Sequence, residues 1–211
     1  MSNSTAGFAP RLEAEDAVRA GFYALFSRLY FSAPDAQLLH SIGTAPGLAA
    51  EADSARLAET WARLSAAARV MDPEAARDEY DALFGGVGKS AVSLFGSFYA
   101  EAYAPGSAGQ FLVALRAALA DLGLGLQAGQ NMPEDHLSAL FETMRLLVAG
   151  TAEGSPRTLA EQQAFFKTFI AQWYAKCCIA IEQTPVANFY KIVAQCADAF
   201  LAVEDESFAI A

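Results

Sequence analysis

The chain has 211 residues, 54% of them hydrophobic and 18% charged, which excludes a disordered protein, since that needs low hydrophobicity and dense charge. Its length also excludes a scaffold that depends on disulfides for want of a core. A formal charge of −10 argues against nucleic acid, whose affinity comes from Lys and Arg on phosphates, and favours a basic partner such as an arginine-bearing peptide.

Helical period runs through nearly the whole chain. Val18, Phe22, Leu25, Phe26 and Leu29 recur at three- and four-residue steps on one apolar stripe. Pro34 with Asp35 starts a short second helix that Gly43 and Pro46 end. Residues 50–70 carry Leu57, Trp61 and Leu64 on one face. Asp72 is the N-cap of a helix opened by Pro73 and running to Phe84. From Gly85 to about Gly109 no period is visible, and irregular connections of that length are often functional. Period returns over Phe111–Leu122. A Gly- and Gln-rich loop spans Gly123 to Asn131, and Pro133 starts a stripe from Leu137 to Val148. One long helix is expected to carry Leu159, Phe166, Trp173, Cys177 and Ile181, and Pro185 starts the last one. No alternation of strand length and no repeat occurs. The expected architecture is therefore a single all-α domain over 1–211, with about eight to ten helices and flexible ends at 1–12 and 204–211.

Cys177, Cys178 and Cys196 lack CxxC spacing and sit on apolar stripes, so they read as core thiols of a cytosolic, cytoplasmic protein, with neither disulfides nor metal. No signal peptide is visible at the start. No apolar stretch is long and uncharged enough to span a bilayer, so no stable membrane insertion is expected. Asp72, Glu74, Asp78, Glu79 and Asp81 read as a solvated acidic face.

Two strings stand out chemically. Gly85-Gly86-Val87-Gly88-Lys89-Ser90 resembles the end of a phosphate-binding loop, where backbone N–H groups and a Lys neutralise phosphates. Leu83 stands where that motif has its first glycine, and the preceding residues read as a helix rather than a strand. The favoured reading is a glycine loop after a helix C-terminus; a helical nucleotide-binding protein using Gly85–Ser90 is the alternative. The second string is Met132-Pro133-Glu134-Asp135-His136. Pro and acids suit a first helical turn, and Asp135 and His136 place an acceptor beside a titratable donor. No GxSxG elbow accompanies them.

Together several strings resemble the TorD/DmsD family of cytosolic chaperones that mature molybdenum redox enzymes exported by the twin-arginine route. They are Glu79-Tyr80-Asp81-Ala82-Leu83-Phe84-Gly85, Phe95-Gly96-Ser97-Phe98-Tyr99, the Pro133-x-Asp135-His136 helix start, Phe165-Phe166-x-x-Phe169-x-x-x-Trp173, and Phe189-Tyr190. Leu94 stands where the family usually has Pro, and Phe169 where it has His. The resemblance implies a non-enzymatic, cofactor-free protein that binds the twin-arginine signal peptide of a molybdoenzyme precursor and assists its assembly. It implies an apolar wall of Tyr80, Leu83 and Phe84 and a polar lip of Pro133, Asp135 and His136. The client's identity, and self-association into a homodimer, stay open.

Overall fold

The computed structural model describes residues 14–49, 54–85, 90–124, 133–151 and 154–210. They form ten α-helices: α1 Ala14–Phe31, α2 Ala36–Thr44, α3 Ala55–Val70, α4 Pro73–Leu83, α5 Gly96–Tyr103, α6 Ser107–Asp121, α7 Leu137–Ala149, α8 Leu159–Phe169, α9 Tyr174–Gln183 and α10 Phe189–Ile210. The all-α expectation is met, and among the described residues the one extended pairing is an antiparallel bridge between Phe95 and His136. No described helix is long and apolar enough to cross a membrane.

The expected N-cap at Asp72 is in place, and Asp35 caps the helix it was expected to start. The Asp35 carboxylate accepts from the Leu38 N–H at 2.7 Å. Asp72 accepts from the N–H groups of Glu74 and Ala75, with Pro73 at the first helical position. The α1 stripe is buried at Phe22, Tyr23, Phe26, Leu29 and Tyr30, whereas Val18 faces solvent. That stripe packs along α7, and α10 packs against α3 and α9. Phe22 meets Trp61 edge-on at 5.4 Å and Phe200 at 5.0 Å, and Tyr23 meets Phe200 at 4.9 Å.

Helices α1 and α10 run in opposite directions and are clamped at both ends. At one end the Tyr190 hydroxyl donates to the Leu29 carbonyl at 3.1 Å. At the other, Arg19 donates twice to the Glu204 carboxylate, at 2.7 and 2.9 Å, and the Tyr23 hydroxyl adds a third bond at 2.9 Å. This corrects the expected flexible end at 204–211. Glu204 is 2% exposed and Phe208 1% exposed, and α10 continues to Ile210. The acidic string divides by helical face: Glu204 and Phe208 point inward, four residues apart, while Asp205 takes Lys167 at 2.6 Å. The other expected flexible end, 1–12, lies outside the described residues.

Three further expectations are corrected. The irregular stretch 85–109 contains α5, whose eight residues bury only Gly96 and Tyr99 and so show no apolar period. The single long helix is two helices. The Trp173 indole donates to the Phe169 carbonyl at 2.7 Å, taking the acceptor that a continuous helix would use, while the Trp173 backbone N–H turns to Ile170. The last helix begins at Phe189 rather than at Pro185, because Glu79 of α4 caps it there. The Glu79 carboxylate accepts from the N–H groups of Asn188, Phe189 and Tyr190 at 2.8, 3.0 and 2.7 Å. Glu79, expected on a solvated face, is 9% exposed.

That anchor predicts a specific loss. Glu79→Ala leaves three helix-start donors without their charged acceptor and should cost about 2–3 kcal/mol. Glu79→Gln keeps one acceptor oxygen and should cost roughly half of that. Urea titrations followed by circular dichroism read both, and midpoints shifted no more than by an ordinary surface substitution would refute the anchor.

Candidate functional site

The end of α4 carries the expected apolar wall. The Tyr80 hydroxyl donates to the carbonyls of Phe31 at 2.8 Å and Tyr30 at 3.2 Å. The Phe84 ring stands edge-on to Tyr80 and Tyr190, each at 5.2 Å, and to Tyr30 at 6.2 Å. Burial raises the phenols of Tyr80 and Tyr190 above their ordinary range, so both stay neutral donors. Tyr80 and Phe84 are half-buried, but Leu83 is wholly enclosed. Leu83 therefore forms the floor of this wall rather than its face.

The expected polar lip is built differently from a helix first turn. α7 begins at Leu137, with His136 as its N-cap, and Pro133 and Glu134 lie in the turn before it. Pro133 is exposed, and Glu134 pairs with Arg116 at 2.7 Å. The physical reason is that the chain at 135–137 pairs with the segment before α5. The Gly96 N–H donates to the Asp135 carbonyl at 2.9 Å, and the Leu137 N–H to the Leu94 carbonyl at 2.8 Å. Helical hydrogen bonding starts only after this bridge.

Asp135 is 3% exposed. Its Oδ2 accepts from the Ser97 N–H at 3.1 Å and from the Ser97 hydroxyl at 2.6 Å. A residue 38 positions away thus caps α5, which has no side-chain cap of its own. The His136 Nδ1 accepts from the Ser138 N–H at 3.2 Å, and its ring stands edge-on to Phe95 at 5.1 Å. Ser97 donates directly to Asp135 while His136 is engaged elsewhere, so the three do not form a Ser-His-Asp relay. Gly96 is closely packed: a Cβ there would lie 2.6 Å from Cζ of Phe111 and would have to push that ring aside.

Wall and lip flank one strap, residues 90–95, which bends at Ala91 and Val92 and is extended at Phe95. The Val92 N–H donates to the Leu83 carbonyl at 3.0 Å on one side, and the Leu94 carbonyl takes the Leu137 N–H on the other. The Tyr30 ring packs between Phe84 and Phe141, at 6.2 and 6.1 Å. The structure therefore brings the two expected clusters to one place, with the strap between them. Sequence reasoning missed Glu79, Ser97, Phe95 and Tyr30 as parts of this place. Glu79, Phe95 and Ser97 stand in the strings that carry the resemblance, but their roles here are not readable locally, because each acts on a partner distant in the chain.

Of the glycine loop, residues 86–89 lie outside the described residues, and the nucleotide-binding alternative lies there with them. Among the described residues no group of three or more His, Cys, Asp or Glu is placed to hold a metal ion. The three thiols are buried, and burial pushes those of Cys177 and Cys196 up to about 12.

The chain matches the family model described as nitrate reductase delta subunit over residues 50–179, more than half its length. Among curated proteins none is similar enough to the chain to count as a relative.

His136 yields a pH prediction. Burial lowers its imidazole to about 4 against the opposing pull of Asp135. A base lowered in the folded state contributes stability that is complete above about pH 6.5 and is lost as pH falls toward 4. Wild type should lose about 3 kcal/mol more than His136→Asn between pH 7 and pH 4. Asn retains a capping acceptor, so the difference isolates the titration. Parallel pH-dependence curves for the two proteins would contradict a buried neutral His136.

Proposed function

The chain belongs to the nitrate reductase delta subunit family, a family of molybdoenzyme maturation chaperones, and from that premise we propose that it binds the twin-arginine signal peptide of a molybdoenzyme precursor in the cytoplasm. It holds the signal until the cofactor is inserted and the enzyme assembled, and it catalyses no reaction itself. The observation that carries the reading is the family match, whose span takes in the Tyr80–Phe84 helix end, the strap and the Asp135-His136 turn.

The chemistry of the site supports it. Such a peptide offers two guanidinium groups followed by an apolar stretch, and so needs carboxylate acceptors beside an apolar surface. Asp135 is an acceptor brought beside the partly exposed Phe95 by the bridge between Phe95 and His136, and the half-buried rings of Tyr80 and Phe84 lie across the strap. The net charge of −10 attracts a basic peptide and repels acidic ones.

A synthetic peptide with two adjacent arginines and an apolar tail, titrated by fluorescence anisotropy, tests the reading. Asp135→Ala should weaken binding by about 1.5–3 kcal/mol, the range for hydrogen bonds to charged groups. Asp135→Asn keeps an acceptor for Ser97 and should lower the salt dependence of binding, because ions screen charge attraction. Phe84→Ala should weaken binding with the salt dependence unchanged. Intact folds with unchanged affinity in all three variants would place the peptide elsewhere.

A further inference from the structure

The strap has the pattern of a bound peptide. Val92 and Leu94 alternate inward, each 3% exposed, while Phe95 turns outward and is 36% exposed. Its backbone is bonded on both sides and to the helices behind it: the Val92 N–H donates to the Leu83 carbonyl, the Leu94 carbonyl accepts from the Leu137 N–H, the Ser93 carbonyl accepts from the Tyr99 hydroxyl at 3.0 Å and the Cys177 thiol at 3.7 Å, and the N–H of Gly96, the first residue of α5, donates to the Asp135 carbonyl. The next residue, Ser97, saturates Oδ2 of Asp135 with two donors. A segment with apolar residues buried at alternate positions and an extended end at Phe95 thus lies between the end of α4 and the start of α7. It is followed by hydrogen-bond donors on a buried carboxylate.

We propose that this strap is the resident occupant of a peptide groove, and that the ligand of the groove is an extended, arginine-bearing apolar segment that displaces it. The proposal rests on the signal-peptide reading above and adds the ligand's conformation and the price of its entry. The incoming segment is a strand rather than a helix, because the groove is shaped by side chains two residues apart and by the backbone groups of Leu83 and Leu137. A guanidinium donates to Asp135 Oδ2 in place of Ser97, which uncaps α5.

The competition gives an affinity change opposite in sign to that of an ordinary contact. Val92→Ala loosens the strap without removing a peptide contact. It should tighten binding of the twin-arginine peptide on the order of tenfold, since the open state becomes more populated. Hydrogen exchange on wild-type protein supplies a second readout that does not depend on the variant's folding. The amides of Val92 and Gly96 should exchange faster in the peptide complex than in the free protein. Unchanged or weaker affinity in a folded Val92→Ala protein, or slower exchange at those two amides, overturns the displacement while leaving the signal-peptide reading intact. No binding to wild type overturns both.

Discussion

The structure depends on one carboxylate. Glu79 points from the last turns of α4 at the start of α10 and accepts three backbone N–H groups there. A helix start holds unpaired donors and partial positive charge, so an anion in that position is both a cap and an electrostatic lock. Its consequence reaches beyond two helices. With the α4–α10 junction fixed, the next residues in each helix, Tyr80 and Tyr190, come within 5.7 Å ring to ring, and Phe84 one turn on closes against both. Tyr190 also ties to Leu29, so α1 joins the same junction. The aromatic end of the molecule is thus assembled around a charge that a composition count assigns to the surface.

A second clamp sets the opposite end of the α1–α10 pair. Arg19 and Glu204 are both largely withdrawn from water, at 13% and 2% side-chain exposure. Burying such a pair brings little net stability unless every hydrogen-bonding group is matched. Here Glu204 takes three donors, and Arg19 reaches Asp16 and Gln162 as well as Glu204. What the pair supplies is register. Replacing one partner leaves a buried charge, so sliding α10 along α1 by a turn is strongly disfavoured.

How much of this was legible follows from the range over which each residue acts. Asp35 and Asp72 act on N–H groups two or three residues ahead; the string at Asp72 reads as an N-cap and that at Pro34-Asp35 as a helix start, and both residues cap their helices. The buried stripe of α1 repeats at helical spacing and was read too, apart from Val18. Asp135 also caps a helix, but one whose start is 38 residues earlier, so the string suggested a first turn of its own helix. Glu79 is the same case at longer range, hidden inside an acidic run. The Phe169–Trp173 break has no Gly or Pro to announce it, because an indole N–H makes it. For the candidate site, the resemblance located Tyr80, Leu83, Phe84, Asp135 and His136 in neighbouring places. It could not distinguish a buried Leu83 from an exposed Phe95, since that depends on which side of the strap each one meets.

The contrast between the anchors and the strap decides which part of this region can move. Moving α4 means breaking three charge-assisted bonds at Glu79, together worth about 2–3 kcal/mol, along with the aromatic packing behind them. Lifting the strap breaks three backbone bonds and the bond from the Tyr99 hydroxyl to the Ser93 carbonyl, each about 1 kcal/mol net, and exposes one Val and one Leu side chain, about 1.5–3 kcal/mol each. An incoming extended segment remakes those bonds and buries equivalent side chains, so the exchange is close to neutral in its apolar and backbone parts. What remains is the replacement of a serine hydroxyl by a guanidinium on Asp135, a stronger donor to a carboxylate in a site already shielded from water. On these magnitudes the arginine, rather than the apolar stretch, decides whether the strap yields, and a purely apolar segment would gain nothing over the residues already there.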